Sequence, residues 1–111
     1  MQRQIDKETE RSIQELQSLE QAIQNLLLQK QAFQIELSET SNALEELKKT
    51  KDDAFKIVGQ IMIKTDKAEL EKELEDKKKL LNLRLNSIQK QEDLMSEKIE
   101  RLKEEITKKL S

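Results

Sequence analysis

The segment that decides the fold is Ala54-Phe55-Lys56-Ile57-Val58-Gly59-Gln60-Ile61-Met62-Ile63-Lys64. It concentrates β-branched and other apolar residues around the only glycine of the chain. Phe55 and Ile57 alternate onto one face of a strand before the glycine, which is the period of a β-strand. Ile61 and Ile63 alternate in the same way after it. Because Gly59 can supply the positive φ that tight turns require, the segment predicts a β-hairpin.

On the N-terminal side of this segment, apolar residues recur in alternating steps of three and four. The seam comprises Leu16, Leu19, Ile23, Leu26, Lys30, Phe33, Leu37, Thr40, Leu44 and Leu47. Such a repeat over more than four heptads predicts a coiled-coil helix and excludes disorder. Lys30 and Thr40 interrupt the seam. A ligand pocket would be one explanation, but polar core residues more often specify helix register.

The C-terminal side repeats the pattern and predicts a second helix. Its seam comprises Leu81, Leu85, Ile88, Glu92, Met95, Ile99, Leu102, Ile106 and Lys109. The hairpin divides the chain into arms of nearly equal length, so we expect the helices to fold back and pair antiparallel. That pairing would bring Met1 and Ile5 close to Ile106 and Leu110.

The predicted fold class is therefore mainly α, a long antiparallel coiled coil with a short β-hairpin at the mid-chain connection. We expect one domain over residues 1–111. It divides into an N-terminal helix over residues 1–50, a hairpin over 51–66 and a C-terminal helix over 67–111.

Composition excludes several functions. Charged residues make up 40% of the chain and apolar residues 34%, with a net charge of −2, which argues against nucleic acid or an anionic membrane as partner. His, Cys and Tyr, the usual bases and nucleophiles, are absent, so we expect no enzymatic activity, no cofactor and no metal site. No apolar run could span a membrane and no signal-peptide core is visible. These features predict a soluble, cytoplasmic protein.

The hairpin itself predicts oligomerisation. An isolated two-stranded hairpin is marginally stable in water, and this one would leave edges and bulky apolar side chains open. Further copies or related chains would remove those edges by completing a larger or closed sheet.

The same residues resemble a known family. The run Asp52-Asp53-Ala54-Phe55-Lys56-Ile57-Val58-Gly59-Gln60-Ile61-Met62-Ile63-Lys64-Thr65-Asp66-Lys67, with a helical arm on each side, is similar to the hairpin segment of β-class prefoldin subunits. The preceding stretch Asn42-Ala43-Leu44-Glu45-Glu46-Leu47 also resembles that family. A single hairpin is typical of the β class, whereas α-class subunits carry two.

This resemblance implies a chaperone. It implies a hexamer of two α-class and four β-class subunits whose hairpins form a β-barrel, holding unfolded polypeptides without ATP and passing them to a group II chaperonin. The implied oligomer interface comprises Phe55, Ile57, Val58, Gly59, Ile61 and Ile63. The implied client-binding tip, assigned by position alone, comprises Met1, Ile5, Ile106 and Leu110. The alternative is a structural or tethering coiled coil without chaperone activity.

Overall fold

The computed structural model describes residues 6–111. Helix α1 spans Lys7–Lys49, strand β1 Ala54–Val58, strand β2 Ile61–Thr65 and helix α2 Lys67–Leu110. This order of elements confirms the predicted fold class, with long helices on either side of a short antiparallel hairpin. Met1 and Ile5, two residues of the predicted tip, lie outside the described residues.

Contacts divide the chain into two compact units, each containing a part of both helices. The first unit combines the N-terminal part of α1, as far as Lys30, with the segment Ser87–Ser111, which contains the C-terminal part of α2. Within it, Glu8 pairs with Lys109 at 3.1 Å and Lys30 pairs with Glu92 at 2.9 Å. The residue numbers of the partners on α2 fall as those on α1 rise, so the helices of this unit run antiparallel.

The second unit, Gln31–Asn86, holds the end of α1, the hairpin and the start of α2. Its helices are antiparallel as well, since Glu36 pairs with Lys77 at 3.2 Å and Lys48 lies 4.0 Å from Glu71.

The buried apolar side chains of both helices lie on the predicted seams, which is what a heptad pattern requires. In the first unit these are Leu26, Ile88 and Ile99. In the second unit they are Leu44, Leu47 and Leu81, joined by Ala54 of β1. Lys77 and Lys109 are exposed and form ion pairs instead of entering the core.

Polar residues on the seams have partners within their own units. Lys30 and Glu92 are both seam residues, and their side chains are 24% and 21% exposed where they meet. The buried Thr40 donates its hydroxyl hydrogen bond to the carbonyl of Glu36, one turn earlier, at 2.8 Å. The pair between Lys30 and Glu92 favours the register interpretation of Lys30 over a ligand pocket, whereas the bond of Thr40 lies within α1 and satisfies its hydroxyl without fixing a register.

Both helices are charged along their outer surfaces. No helix within residues 6–111 carries an apolar stretch long enough to cross a bilayer. Exposed ion pairs such as Lys77 with Glu36, 49% and 42% exposed, each contribute little stability because water screens them.

Candidate functional site

The hairpin is closed by a two-residue turn, Gly59-Gln60, between the directly paired Val58 and Ile61. Gly59 has a φ of +62°, as its position in the sequence predicts, and Gln60 has a negative φ. Among two-residue hairpin turns, a positive φ at the first central position alone defines type II′. Glycine is the residue that adopts this conformation without strain.

Strand register decides which side chains share a face, because direct partners on paired strands point to the same side. One face, called here the Phe55 face, comprises Phe55, Ile57, Met62 and Lys64. The other, called the Ile61 face, comprises Ala54, Lys56, Val58, Ile61, Ile63 and Thr65. The two predicted pairs therefore lie on opposite faces of the sheet.

Both faces are apolar and open to solvent. The exposed side chains are between 47% and 69% accessible and comprise Phe55, Ile57 and Met62 on one face and Val58, Ile61 and Ile63 on the other. A strand of a solvent-facing sheet normally buries one face and keeps the other polar. A hairpin with two apolar faces requires cover on both.

Ion pairs connect the hairpin to its surroundings within the second unit. Lys56 of β1 donates to a carboxylate oxygen of Glu73 on α2 at 2.9 Å. Lys67, the first residue of α2, donates to the backbone carbonyl of Thr50 at 2.5 Å. Lys64 lies 3.3 Å from Asp53, just before β1. The hairpin is thus held at its base, while its apolar side chains stay exposed.

The helix ends form the second candidate site. Ile106 is half-buried on the seam, and Leu110 is 42% exposed at the last turn of α2. The ion pair between Glu8 and Lys109 places the first turn of α1 beside this last turn. The described part of the predicted tip is therefore brought together with the start of α1.

The first turn of α1 is capped by Asp6, whose carboxylate accepts the backbone N–H of Thr9 at 2.7 Å. Hydrogen bonds from the Thr9 side chain and backbone, in that order of effect, lower the pKa of Asp6 below its ordinary value of 3.8, and the charge of Lys109 lowers it further. The sequence could have revealed this cap, since Asp is a preferred N-cap residue and acidic residues, here Glu8 and Glu10, are enriched in the first turn of a helix.

Several exposed apolar residues were not singled out by the sequence. Met62 belongs to the Phe55 face because it pairs with Ile57, a register that the structure supplies and that no local sequence signal specified. Leu94 in the first unit, and Ile35 and Leu83 in the second, are each more than half exposed. They occupy helix positions away from the seams, so seam analysis does not select them.

Comparison with known proteins identifies the family. The family model described as "Prefoldin subunit" matches residues 10–111. This chain belongs to the prefoldin family. It is 40% identical to prefoldin subunit beta of Saccharolobus islandicus over 106 residues, covering 94% of this chain and 84% of that one. It is 40% identical to prefoldin subunit beta of Pyrococcus furiosus over 94 residues, covering 83% and 80% of the two chains.

A solved prefoldin has the same fold. The crystal structure of the prefoldin beta subunit from Thermococcus strain KS-1 superposes with a TM-score of 0.88 at 32% identity, covering 98% of this chain and 97% of that one. Prefoldins are chaperones, and membership implies hetero-oligomeric assembly with other prefoldin subunits. The resemblance read from the hairpin segment is thereby confirmed at the level of family and β-type fold.

Proposed function

We propose that this chain is a β-class subunit of an ATP-independent prefoldin holdase, a hexamer of two α-class and four β-class subunits. Family membership and the hairpin together support the assembly. Six apolar side chains on two faces of one short sheet need cover that the described part of the chain does not provide. Hairpins from neighbouring subunits would cover them by forming a shared β-barrel.

Client capture is assigned to the helix ends, residues 1–9 and 106–111. Leu110 offers exposed aliphatic surface there, and Ile106 is half-buried beside it. An aliphatic surface at a helix end can bind the apolar segments that an unfolded polypeptide exposes. Each contact is weak, but several subunits engaging one client convert weak contacts into useful avidity. The contacts can still release one at a time, which suits transfer.

The test measures whether the oligomer suppresses the aggregation of an unfolded protein. A chemically unfolded model protein is diluted, without ATP, into the oligomer that this chain forms with its companion subunits, and light scattering is recorded. We expect the oligomer to suppress scattering. Leu110→Ser should weaken suppression, because it removes an aliphatic group from the proposed client-binding end, while native mass spectrometry shows an unchanged oligomer.

Leu94→Ser is the matched control. Leu94 is an exposed leucine of the same helix and the same unit, 61% accessible, but it lies away from the helix end. Suppression should survive this change. If both variants suppress aggregation like the unmodified chain, the assignment to the tip is wrong. If an intact oligomer never suppresses aggregation, the tethering function is favoured instead.

We also propose that the oligomer acts in the cytoplasm and delivers its client to a group II chaperonin. We expect addition of such a chaperonin with ATP to release the held client and raise its refolded yield. A client that stays bound to the oligomer under those conditions would contradict delivery.

A further inference from the structure

The methionines of this chain differ in how far solvent reaches them. Cysteine and methionine are the side chains with a recognised ladder of oxidation products, and this chain has no cysteine and three methionines. Among the residues that the structure describes, Met62 on β2 is 65% exposed, whereas Met95 is half-buried on the seam of α2. An oxidant in solution therefore reaches the Met62 sulfur more readily than the Met95 sulfur.

Met62 lies within an apolar surface that the proposed assembly has to cover. It pairs directly with Ile57 of β1, and these two are the most exposed apolar side chains of the Phe55 face. A thioether is soft and apolar, so the unmodified side chain packs readily against an apolar partner. Any reaction that makes this side chain polar acts on the contact surface itself.

We propose that Met62 is an oxidation site that controls whether this chain can assemble. The sulfur lone pair attacks one oxygen of hydrogen peroxide and the O–O bond breaks. The attacked oxygen stays on sulfur as the sulfoxide and passes its proton to the departing hydroxide, which leaves as water. Sulfur loses two electrons and the peroxide gains them, so the step needs no further reactant. This inference rests on the proposed assembly through hairpins and adds a modification site to it.

The sulfoxide would be a poor fit for an apolar contact. Its oxygen accepts hydrogen bonds, and covering such a group without a donor costs free energy. Phe55 and Ile57 on the same face have no side-chain donor, and Lys64, the cation of this face, is already paired with Asp53 at 3.3 Å. Oxidation before assembly should therefore block the contact, whereas assembly before oxidation should shield the sulfur.

The first experiment maps the site and its protection. The isolated chain and its oligomer with the companion subunits are treated with hydrogen peroxide, digested with trypsin and analysed by mass spectrometry. Met62 falls in peptide 57–64 and Met95 in peptide 91–98, so the gain of one oxygen atom is assigned to each sulfur separately. In the isolated chain we expect peptide 57–64 to be oxidised faster than peptide 91–98, and in the oligomer we expect most of this reactivity to be lost. Equal rates in the isolated chain, or an unchanged rate in the oligomer, would overturn the inference.

The second experiment asks whether the modification controls assembly. Peroxide-treated chain is freed of peroxide and mixed with untreated companion subunits, and native mass spectrometry gives the oligomer fraction. Met62→Leu is the test variant, because leucine is close to methionine in volume and carries no sulfur. Met95→Leu is the matched control. Peroxide should reduce the oligomer fraction of the unmodified chain and of Met95→Leu but not that of Met62→Leu.

Reversal gives an independent readout, since methionine sulfoxide reductases return the sulfoxide to the thioether. Treatment of the oxidised chain with both classes of reductase, one for each sulfoxide epimer, should restore the oligomer fraction. Normal assembly of a chain oxidised at Met62, or equal loss of assembly in peroxide-treated Met62→Leu, would contradict the proposal.

Ile57→Lys, measured without peroxide, separates this inference from the proposed function, because it disrupts the Phe55 face without any oxidation. If Ile57→Lys dissociates the oligomer while the oxidised chain still assembles, only the oxidation inference fails. If Ile57→Lys leaves the oligomer intact, assembly does not depend on this face and both proposals fail.

Discussion

A lysine in a hydrophobic seam is stable only when its charge has a partner. Lys30 meets Glu92 from the opposite seam at 2.9 Å, and both side chains keep about a fifth of their surface exposed. Charges in such a place lose part of their hydration, which the ion pair offsets only while both partners are present. A helix pairing shifted by one turn would separate them, so the pair opposes wrong registers.

A double-mutant cycle measures this coupling. We expect Lys30→Met to lower the free energy of unfolding by about 1–2 kcal/mol, between the values typical of exposed and of fully buried pairs, because Glu92 is left without its cation. Combining Lys30→Met with Glu92→Leu should restore stability to about that of the unmodified chain. Urea unfolding followed by circular dichroism gives the four values.

The exposed pair between Glu36 and Lys77 provides the control cycle, since water reaches both groups. Its coupling should stay below about 1 kcal/mol. Equal coupling energies in the two cycles would mean that a position on the seam does not strengthen an ion pair.

The cap at Asp6 makes the start of α1 sensitive to acid. Because the pKa of Asp6 is lowered in the folded chain, its capping contribution is complete above the ordinary value of 3.8 and is lost as the pH falls through the lower folded value. We expect the protection of the Thr9 amide, measured by hydrogen-exchange NMR relative to its intrinsic exchange rate at each pH, to fall in that window.

Asp6→Asn separates the cap from its neighbours, because asparagine caps a helix without titrating. The acid-induced change at Thr9 should disappear in this variant. If it persists, the acid sensitivity of this turn does not come from the Asp6 cap.

At the scale of elements, the hairpin shows what the sequence could and could not predict. Alternation within each strand and the turn at Gly59 were visible in the sequence and are present in the structure. The sequence did not show which residues of the two strands lie on the same face, because this depends on how many residues the turn contains. With two residues in the turn, Ile57 faces Met62 and Val58 faces Ile61. A turn that was one residue longer or shorter would have changed every cross-strand partner.

The same limit applies to the helices. Heptad spacing predicted where the buried apolar residues lie, because the position of a residue on its helix follows from the sequence of that helix alone. Contacts across the pair depend on the offset between two helices, which no local pattern specifies. The Arg84 guanidinium lies 5.6 Å from the Phe33 ring centre for this reason, a contact that spacing could not reveal.

Gly59 provides a test of the turn. A side chain at this position would meet open space, so the effect of Gly59→Ala comes from backbone conformation alone. An L-residue in the positive-φ conformation of a type II′ turn costs roughly 1–3 kcal/mol, and we expect the hairpin to weaken by that amount. The same alanine in the D configuration, introduced by chemical synthesis, favours a positive φ and should preserve the hairpin.

Cross-strand nuclear Overhauser effects between Ile57 and Met62 report the paired state in each synthetic chain. Equal signals in the L and D forms would show that the turn does not need a positive φ at this position.

At the scale of the whole molecule, the chain consists of two units, and the second contains a short sheet with six exposed large apolar side chains. The sequence resembled the family mainly through this sheet, and through one short stretch of α1, because heptads alone are shared by many unrelated proteins. The seams hold the helices together, while the hairpin remains available for other subunits.

The two open faces of the hairpin also have a consequence for supply of the subunits. A copy made in excess of its companions would expose the same kind of aliphatic surface that marks a misfolded protein. Such an orphan would be a target for proteases. Cells that make this chain therefore need balanced synthesis of this chain and its companion subunits.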